Sequence, residues 1–257
     1  MAITTEQIKE LRDATGVSVM QCKKALEEAG GDMEKALLVL KKKSSDIALK
    51  KADREANDGI IVVRQNPGKA TVVVLNSETD FVAKNEDFTN LANALADLAV
   101  AEGKDAATAK AADMINPVIQ KVGENIQLGS IEEITAPVVG SYVHSGKSAA
   151  VVALSGGDEA LAKDVAMHVA AMKPEYATLE DVTSEMKEKV KDMFTKEVME
   201  SDKPEEIKAK MLEGKIGTYL KEQVLVEQAF IKNPDMTIGK LLESKGAKLE
   251  KFARYSI

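Results

Sequence analysis

The stretch Gly59-Ile60-Ile61-Val62-Val63-Arg64, a turn containing Asn66-Pro67-Gly68-Lys69, and Ala70-Thr71-Val72-Val73-Val74-Leu75 decides the fold. Two runs rich in β-branched residues flank a Pro-Gly turn, which is the signature of a β-hairpin. The pattern returns as Val139-Gly140-Ser141-Tyr142-Val143 and Ala149-Ala150-Val151-Val152-Ala153-Leu154, about a turn containing Ser145-Gly146-Lys147. An alanine-rich helix is expected after each hairpin, from Asp87 to about Val100 and from Asp158 to about Ala171. Each copy then closes with a second helix and a strand. The first closes with Ile115 to Val122 and Gly123-Glu124-Asn125-Ile126-Gln127-Leu128; the second with Ile238 to Ser244 and Gly246-Ala247-Lys248-Leu249-Glu250-Lys251-Phe252. This internal repeat predicts an α+β fold with a duplicated core of two units, each with a three-stranded antiparallel sheet and helices.

The second unit is interrupted. Residues 181–222 carry a helical period and strong charge, with stripes of Met186, Val190, Met193 and Phe194 and of Ile207, Met211, Ile216 and Leu220. Ser201-Asp202-Lys203-Pro204 lies between them, and Pro204, Glu205 and Glu206 suit the first turn of a helix. An inserted antiparallel helical hairpin follows, with the two stripes as its seam. Ahead of the repeat, residues 1–43 read as three short helices. Thr4-x-x-Gln7 and Ser18-x-x-Gln21 have capping-box spacing. Gly30-Gly31 ends the second helix, and Met33, Ala36, Leu37 and Leu40 follow the i, i+3, i+4, i+7 rule. This small bundle, with Thr15-Gly16-Val17 as its first turn, resembles a ubiquitin-associated domain: either a helical cap or a docking module. Residues 41–58, with Lys41, Lys42, Lys43, Lys50, Lys51 and Arg54, read as a charged connector. The expected domains are therefore 1–54, 55–138, 139–180 with 223–257, and 181–222.

Composition narrows the function. The 257-residue chain is 44% hydrophobic but only 4% aromatic, so Ala, Val, Leu, Ile and Met must build the core. A net charge of −7 argues against a dedicated nucleic-acid binder. One cysteine, Cys22, cannot pair within the chain, which suits a reducing, cytoplasmic compartment. Neither a signal peptide nor a membrane-spanning stretch is expected. The two histidines, His144 and His168, stand far apart, and no zinc spacing, phosphate loop or nucleophile elbow occurs. Gly68-Lys69 and Gly146-Lys147 lie in hairpin turns rather than between a strand and a helix. The expectation is a protein that is not an enzyme and has no cofactor or metal.

The first copy also inserts residues where strand meets helix: Asn76-Ser77-Glu78-Thr79-Asp80-Phe81-Val82-Ala83-Lys84-Asn85, against little more than Ser155-Gly156-Gly157 in the second. Loops carry function more often than scaffolds do. Phe81 in it either folds back onto its own sheet or faces a partner.

Leu11-Arg12-Asp13-Ala14-Thr15-Gly16-Val17-Ser18, Cys22-Lys23-Lys24-Ala25-Leu26 and Asn76-Ser77-Glu78-Thr79-Asp80-Phe81-Val82-Ala83-Lys84 resemble the two diagnostic stretches of the elongation factor Ts family. Gly123-Glu124-Asn125-Ile126, Gly140-Ser141-Tyr142-x-His144, the Ala166–Pro174 segment and Thr237-Ile238-Gly239-Lys240-Leu241-Leu242 extend the match. Three features depart from the family pattern. Val74 stands where many members have Glu, Gln127-Leu128-Gly129 replaces a basic pair, and Ile257 ends the chain where longer bacterial members carry a further helical module. The resemblance is thus to a short, bacterial-type form.

The resemblance implies a guanine-nucleotide exchange factor for the GTPase elongation factor Tu in translation elongation. It also implies a site. The loop Thr79, Asp80, Phe81, Val82 and Ala83 would enter the GTPase near its Mg²⁺ and phosphate, with Phe81 as a wedge. Arg12, Met20, Lys23, Gly123, Glu124 and His144 would make the other partner contacts. The Mg²⁺ belongs to the partner, and neither nucleic acid nor a membrane is implied. From the residues alone, a helix-binding adaptor built on residues 1–43 is the competing reading.

Overall fold

A computed structural model of the chain describes residues 3–201 and 203–257. The mixed α+β architecture is built on two three-stranded antiparallel sheets and a small two-stranded one. In the first sheet β1 (Asp58–Asn66) pairs with β2 (Lys69–Ser77), and β2 pairs with β3 (Ile126–Thr135). In the second, β4 (Val138–His144) pairs with β5 (Ser148–Ser155), and β5 with β8 (Lys248–Ser256). The central strand comes second in chain order in both sheets. The ladder to the last strand slips at matching places, between Val74 and Leu75 and between Ala153 and Leu154.

The central strands are apolar on both faces because both faces are covered. Val73 and Leu75 of β2 point into a core with α5 (Glu86–Glu102) and α6 (Lys104–Val122). Ala150, Val152 and Leu154 of β5 pack against α7 (Glu159–Met172) and α10 (Ile238–Ser244). The alternate residues, Ala70 and Val72 of β2 and Ala149, Val151 and Ala153 of β5, meet in a third core between the sheets. Helices, sheet, sheet and helices therefore form layers. Gly140 lets β4 approach α7: a Cβ there would stand 2.3 Å from the main chain of Ala162 and Lys163.

The N-terminal helices are α1 (Thr5–Thr15), α2 (Val19–Glu28) and α3 (Met33–Lys51), and the capping boxes at Thr4/Gln7 and Ser18/Gln21 both form. Leu11, Val17, Cys22, Ala25, Leu26, Ala36 and Leu40 are their core. Here the chain departs from the sequence reading. The third helix does not stop near residue 43 but runs to Lys51, so most of the expected connector is helical. Its second half lies on α6. Ile47 and Ala48 pack against the α5–α6 core, Lys41 pairs with Asp113 at 2.9 Å, and Asn116 donates to the Ser45 hydroxyl at 3.3 Å. The second helix of the first unit is likewise longer than expected, beginning at Lys104.

The inserted hairpin forms from α8 (Ser184–Met199) and α9 (Glu205–Gln223). Val190 and Leu220 are buried in its seam, flanked by Met186, Phe194 and Ile216. Met193 and Ile207, expected in that seam, are exposed. A short ribbon, β6 (Ala229–Phe230) with β7 (Asn233–Thr237), returns the chain to α10.

Candidate functional site

The loop after β2 owes its shape to its caps. Thr79 is the N-cap of a single-turn helix, α4 (Asp80–Ala83), its hydroxyl accepting from the Val82 N–H at 3.4 Å. Asn85 then caps α5 through the Asp87 N–H at 2.9 Å. A turn of helix rotates successive side chains by about 100°, so neighbours diverge. Val82 and Ala83 are buried in the α5–α6 core, whereas Phe81 is 82% exposed. Phe81 does not fold back onto its sheet. Beside it Asp80 and Lys84 form an i, i+4 ion pair at 2.7 Å, and the Asp80 carboxylate holds the Lys84 ammonium above its usual range.

A second segment supports this loop. Gly123 ends α6 in the left-handed conformation with φ 81°, which turns the chain so that Glu124 faces Thr79. The Thr79 N–H donates to Glu124 at 3.1 Å and its hydroxyl at 2.8 Å. In return the Asn125 N–H donates to the Glu78 carboxylate at 2.6 Å. Lys51 of α3 donates to the Gly123 carbonyl.

His144 is exposed at the end of β4, its Nδ1 3.2 Å from the Tyr142 hydroxyl. The hairpin turn that follows is fastened to the start of β1. The Ile61 N–H donates to the Gly146 carbonyl at 2.7 Å, and the Lys147 ammonium meets the Asp58 carboxylate. That hydrogen bond from Lys147 holds the Asp58 carboxyl below the usual range, and the charge of Lys84 adds to it. Asp58 pairs across the sheet with Ser77, two residues before Thr79. The His144 turn and the Phe81 loop thus share one end of the molecule.

Arg12, Met20 and Lys23 lie on the N-terminal bundle, all exposed, with Met20 at 61%. Lys23 stands 3.8 Å from Glu27. None is hydrogen-bonded to the loop. The bundle nonetheless abuts the same end: a Cβ at Gly16 would be 2.9 Å from Lys121 Nζ, and Lys121 pairs with Asp87 at 2.6 Å in the first turn of α5. Expected site residues thus fall into two groups on neighbouring surfaces. The loop with Gly123, Glu124 and the His144 turn is one; Arg12, Met20 and Lys23 are the other.

The arrangement suits contact more than chemistry. Phe81 projects rather than lining a cavity, and the apolar cleft of about 520 Å³ between α3, α6 and β3 holds none of the expected site residues. Among the described residues, no group of three or more His, Cys, Asp or Glu side chains is placed to hold a metal ion. Also among the described residues, no helix is long and apolar enough to cross a membrane. His168 is fully buried in α7, its Nε2 2.9 Å from Gln228 Oε1 and its Nδ1 accepting from the Ile231 N–H at 3.3 Å. Burial pushes its imidazole below the usual range, and the Gln228 bond opposes this. The sequence reading overlooked Glu78, Asn125, Asp58 and Lys147 as supports. Glu78 and Asn125 lay inside quoted motifs, but nothing in the sequence pairs segments 45 residues apart.

The family model described as Elongation factor TS matches residues 78–257, which begins within the loop and covers more than half of the chain. With the Thr79–Ala83 turn and its Glu124 support inside the matched region, the chain belongs to the elongation factor Ts family.

Proposed function

We propose that this protein is a cytoplasmic guanine-nucleotide exchange factor for elongation factor Tu, acting through the Asp80-Phe81 turn and not through covalent catalysis. Exposure of Phe81, on a turn whose next two residues are core, carries the reading. Keeping a large apolar ring in water is unfavourable, and burying it against a partner recovers about 1.5–3 kcal/mol. In this mechanism Phe81 enters the GTPase beside its Mg²⁺ and diphosphate, Asp80 accompanies it, and Val82 and Ala83 root the wedge in the core. Disturbing the Mg²⁺ weakens the largest local charge that holds the diphosphate. Linkage then requires nucleotide to weaken the factor's own affinity equally, so GTP in excess displaces it.

Residues 1–54 serve in this reading as a ubiquitin-associated-like docking unit, with Met20 as an adaptable apolar contact and Arg12 and Lys23 steering approach. His144 completes the face, and the 123–124 segment stands behind the Thr79 turn that it supports. The matching strand order and matching slips of the two sheets support a duplicated core, 55–138 and 139–180 with 223–257, interrupted by the hairpin 181–222. The test is release of labelled GDP from purified elongation factor Tu. Strong acceleration by the wild type and its loss in Phe81→Ala are expected; no acceleration by the wild type sinks the reading.

A further inference from the structure

We propose that Glu78, Glu124 and Asn125 form a reciprocal clasp that holds the Asp80-Phe81 turn in its outward conformation. Glu124 is then a positioning residue for nucleotide release, acting through Thr79 rather than touching the GTPase. This rests on the reading of Phe81 as the wedge.

A four-residue helix cannot hold itself, because the first turn fixes several residues for a single hydrogen bond. The ties that set α4 come from outside it. Each of two segments, 45 residues apart, offers a carboxylate to the other's main chain. Glu124 accepts the Thr79 N–H and the Thr79 hydroxyl proton; Glu78 accepts the Asn125 N–H. A hydroxyl has one proton to give. With that proton on Glu124, a lone pair of Thr79 Oγ1 is left for the Val82 N–H. One carboxylate thereby orients the cap that starts the helix, and the helical rotation sends Phe81 outward and Val82 inward. The Ser77 hydroxyl secures the Thr79 carbonyl at 2.9 Å from the other side.

The clasp is itself anchored. Asn125 is 2% exposed, and its side-chain amide donates to the Arg54 carbonyl at 2.7 Å. The Arg54 guanidinium approaches Glu78 at 3.4 Å, and Lys51 holds the Gly123 carbonyl. The segment leaving α3 is thus joined to the wedge through the clasp.

The experiment uses full-length Glu124→Ala, Thr79→Val and the double variant, each titrated against elongation factor Tu loaded with labelled GDP. Glu124→Ala is expected to lower the maximal release rate about tenfold or more, as misplaced groups do. The half-saturating concentration should stay nearly unchanged, because the docking residues remain. The double variant should lose less than the product of the two single losses, because the two residues share one network. Multiplying losses would mean that Glu124 contacts the GTPase itself, and would overturn the proposal. Amide hydrogen exchange in the free protein gives an independent reading: Glu124→Ala should expose the Thr79 and Val82 amides and spare those of Leu91 and Leu95 within α5. Unchanged protection at Val82 overturns the clasp, even if Phe81→Ala shows that the wedge reading has failed on its own account.

Discussion

Lys147 reaches from the turn of the second hairpin to the first residue of β1, where its ammonium meets the Asp58 carboxylate and donates to the Gly59 carbonyl at 2.7 Å. This contact fixes the position of the His144 turn relative to the end of β2, from which the Phe81 loop departs. Asp58 binds its proton less readily in the folded chain than in the unfolded one. Its contribution is therefore present above the unfolded value, about 3.9, and is lost as pH falls through the lower folded value. Lys147→Met should cost up to about 1 kcal/mol at pH 7, since the pair is partly exposed. The gap from wild type should narrow as pH falls below the unfolded value. Urea unfolding across a pH series measures it, and a gap that does not change with pH refutes the assignment.

Two phenylalanines, seven positions apart, should behave oppositely. Phe81 is 82% exposed and Phe88 fully buried in the α5–α6 core. Phe88→Ala should cost about 3–5 kcal/mol of stability. Phe81→Ala should leave the melting midpoint alone and slow GDP release about tenfold or more, the equivalent of losing the burial of one ring. A large drop in the Phe81→Ala midpoint would mark the ring as structural.

The histidines form a second contrasting pair. His144→Ala should reduce exchange while leaving stability intact, because the side chain is exposed. His168→Leu should keep the exchange activity of the folded protein. It should cost about 1–3 kcal/mol by stranding Gln228 Oε1 and the Ile231 N–H. Wild-type stability should decline as pH falls from about 6.5 toward the lower folded value of His168, since the unfolded chain takes up the proton first. His168→Leu should flatten that decline. Equal loss of exchange at both positions, with the fold retained, would remove the distinction.

Deleting residues 1–54 should weaken docking and also destabilise what remains. The charged connector suggests few lost core contacts, but α3 covers α6 with Ile47 and Ala48. Re-exposing that apolar surface should cost about 2 kcal/mol or more. Chemical denaturation of residues 55–257 against the full chain checks this. Binding to the nucleotide-free GTPase across a salt series checks docking: equal affinity and equal salt dependence would show that residues 1–54 do not dock.

Local chemistry made part of this protein legible from its sequence. The apolar runs of β2 and β5 beside their turns marked the strands of two hairpins; that both faces of each are covered came only with the fold. The capping boxes at Thr4 and Ser18 and the bounds of α10 follow from side chains three residues away. The motif around Thr79 marked the loop. What the sequence left open was decided by residues remote in the chain. The Lys-rich end of α3 has no strong stripe of its own, and α6 supplies the surface that makes it helical to Lys51. The alanine-rich start of α6 offers little contrast between its faces, so its true length waits on packing against α5 and α3. The direction of Phe81 could not be read from Thr79-Asp80-Phe81-Val82. A single helical turn is too short to fix itself, and the carboxylate that orients its cap sits on Glu124, which only the folded chain brings within 2.8 Å of Thr79.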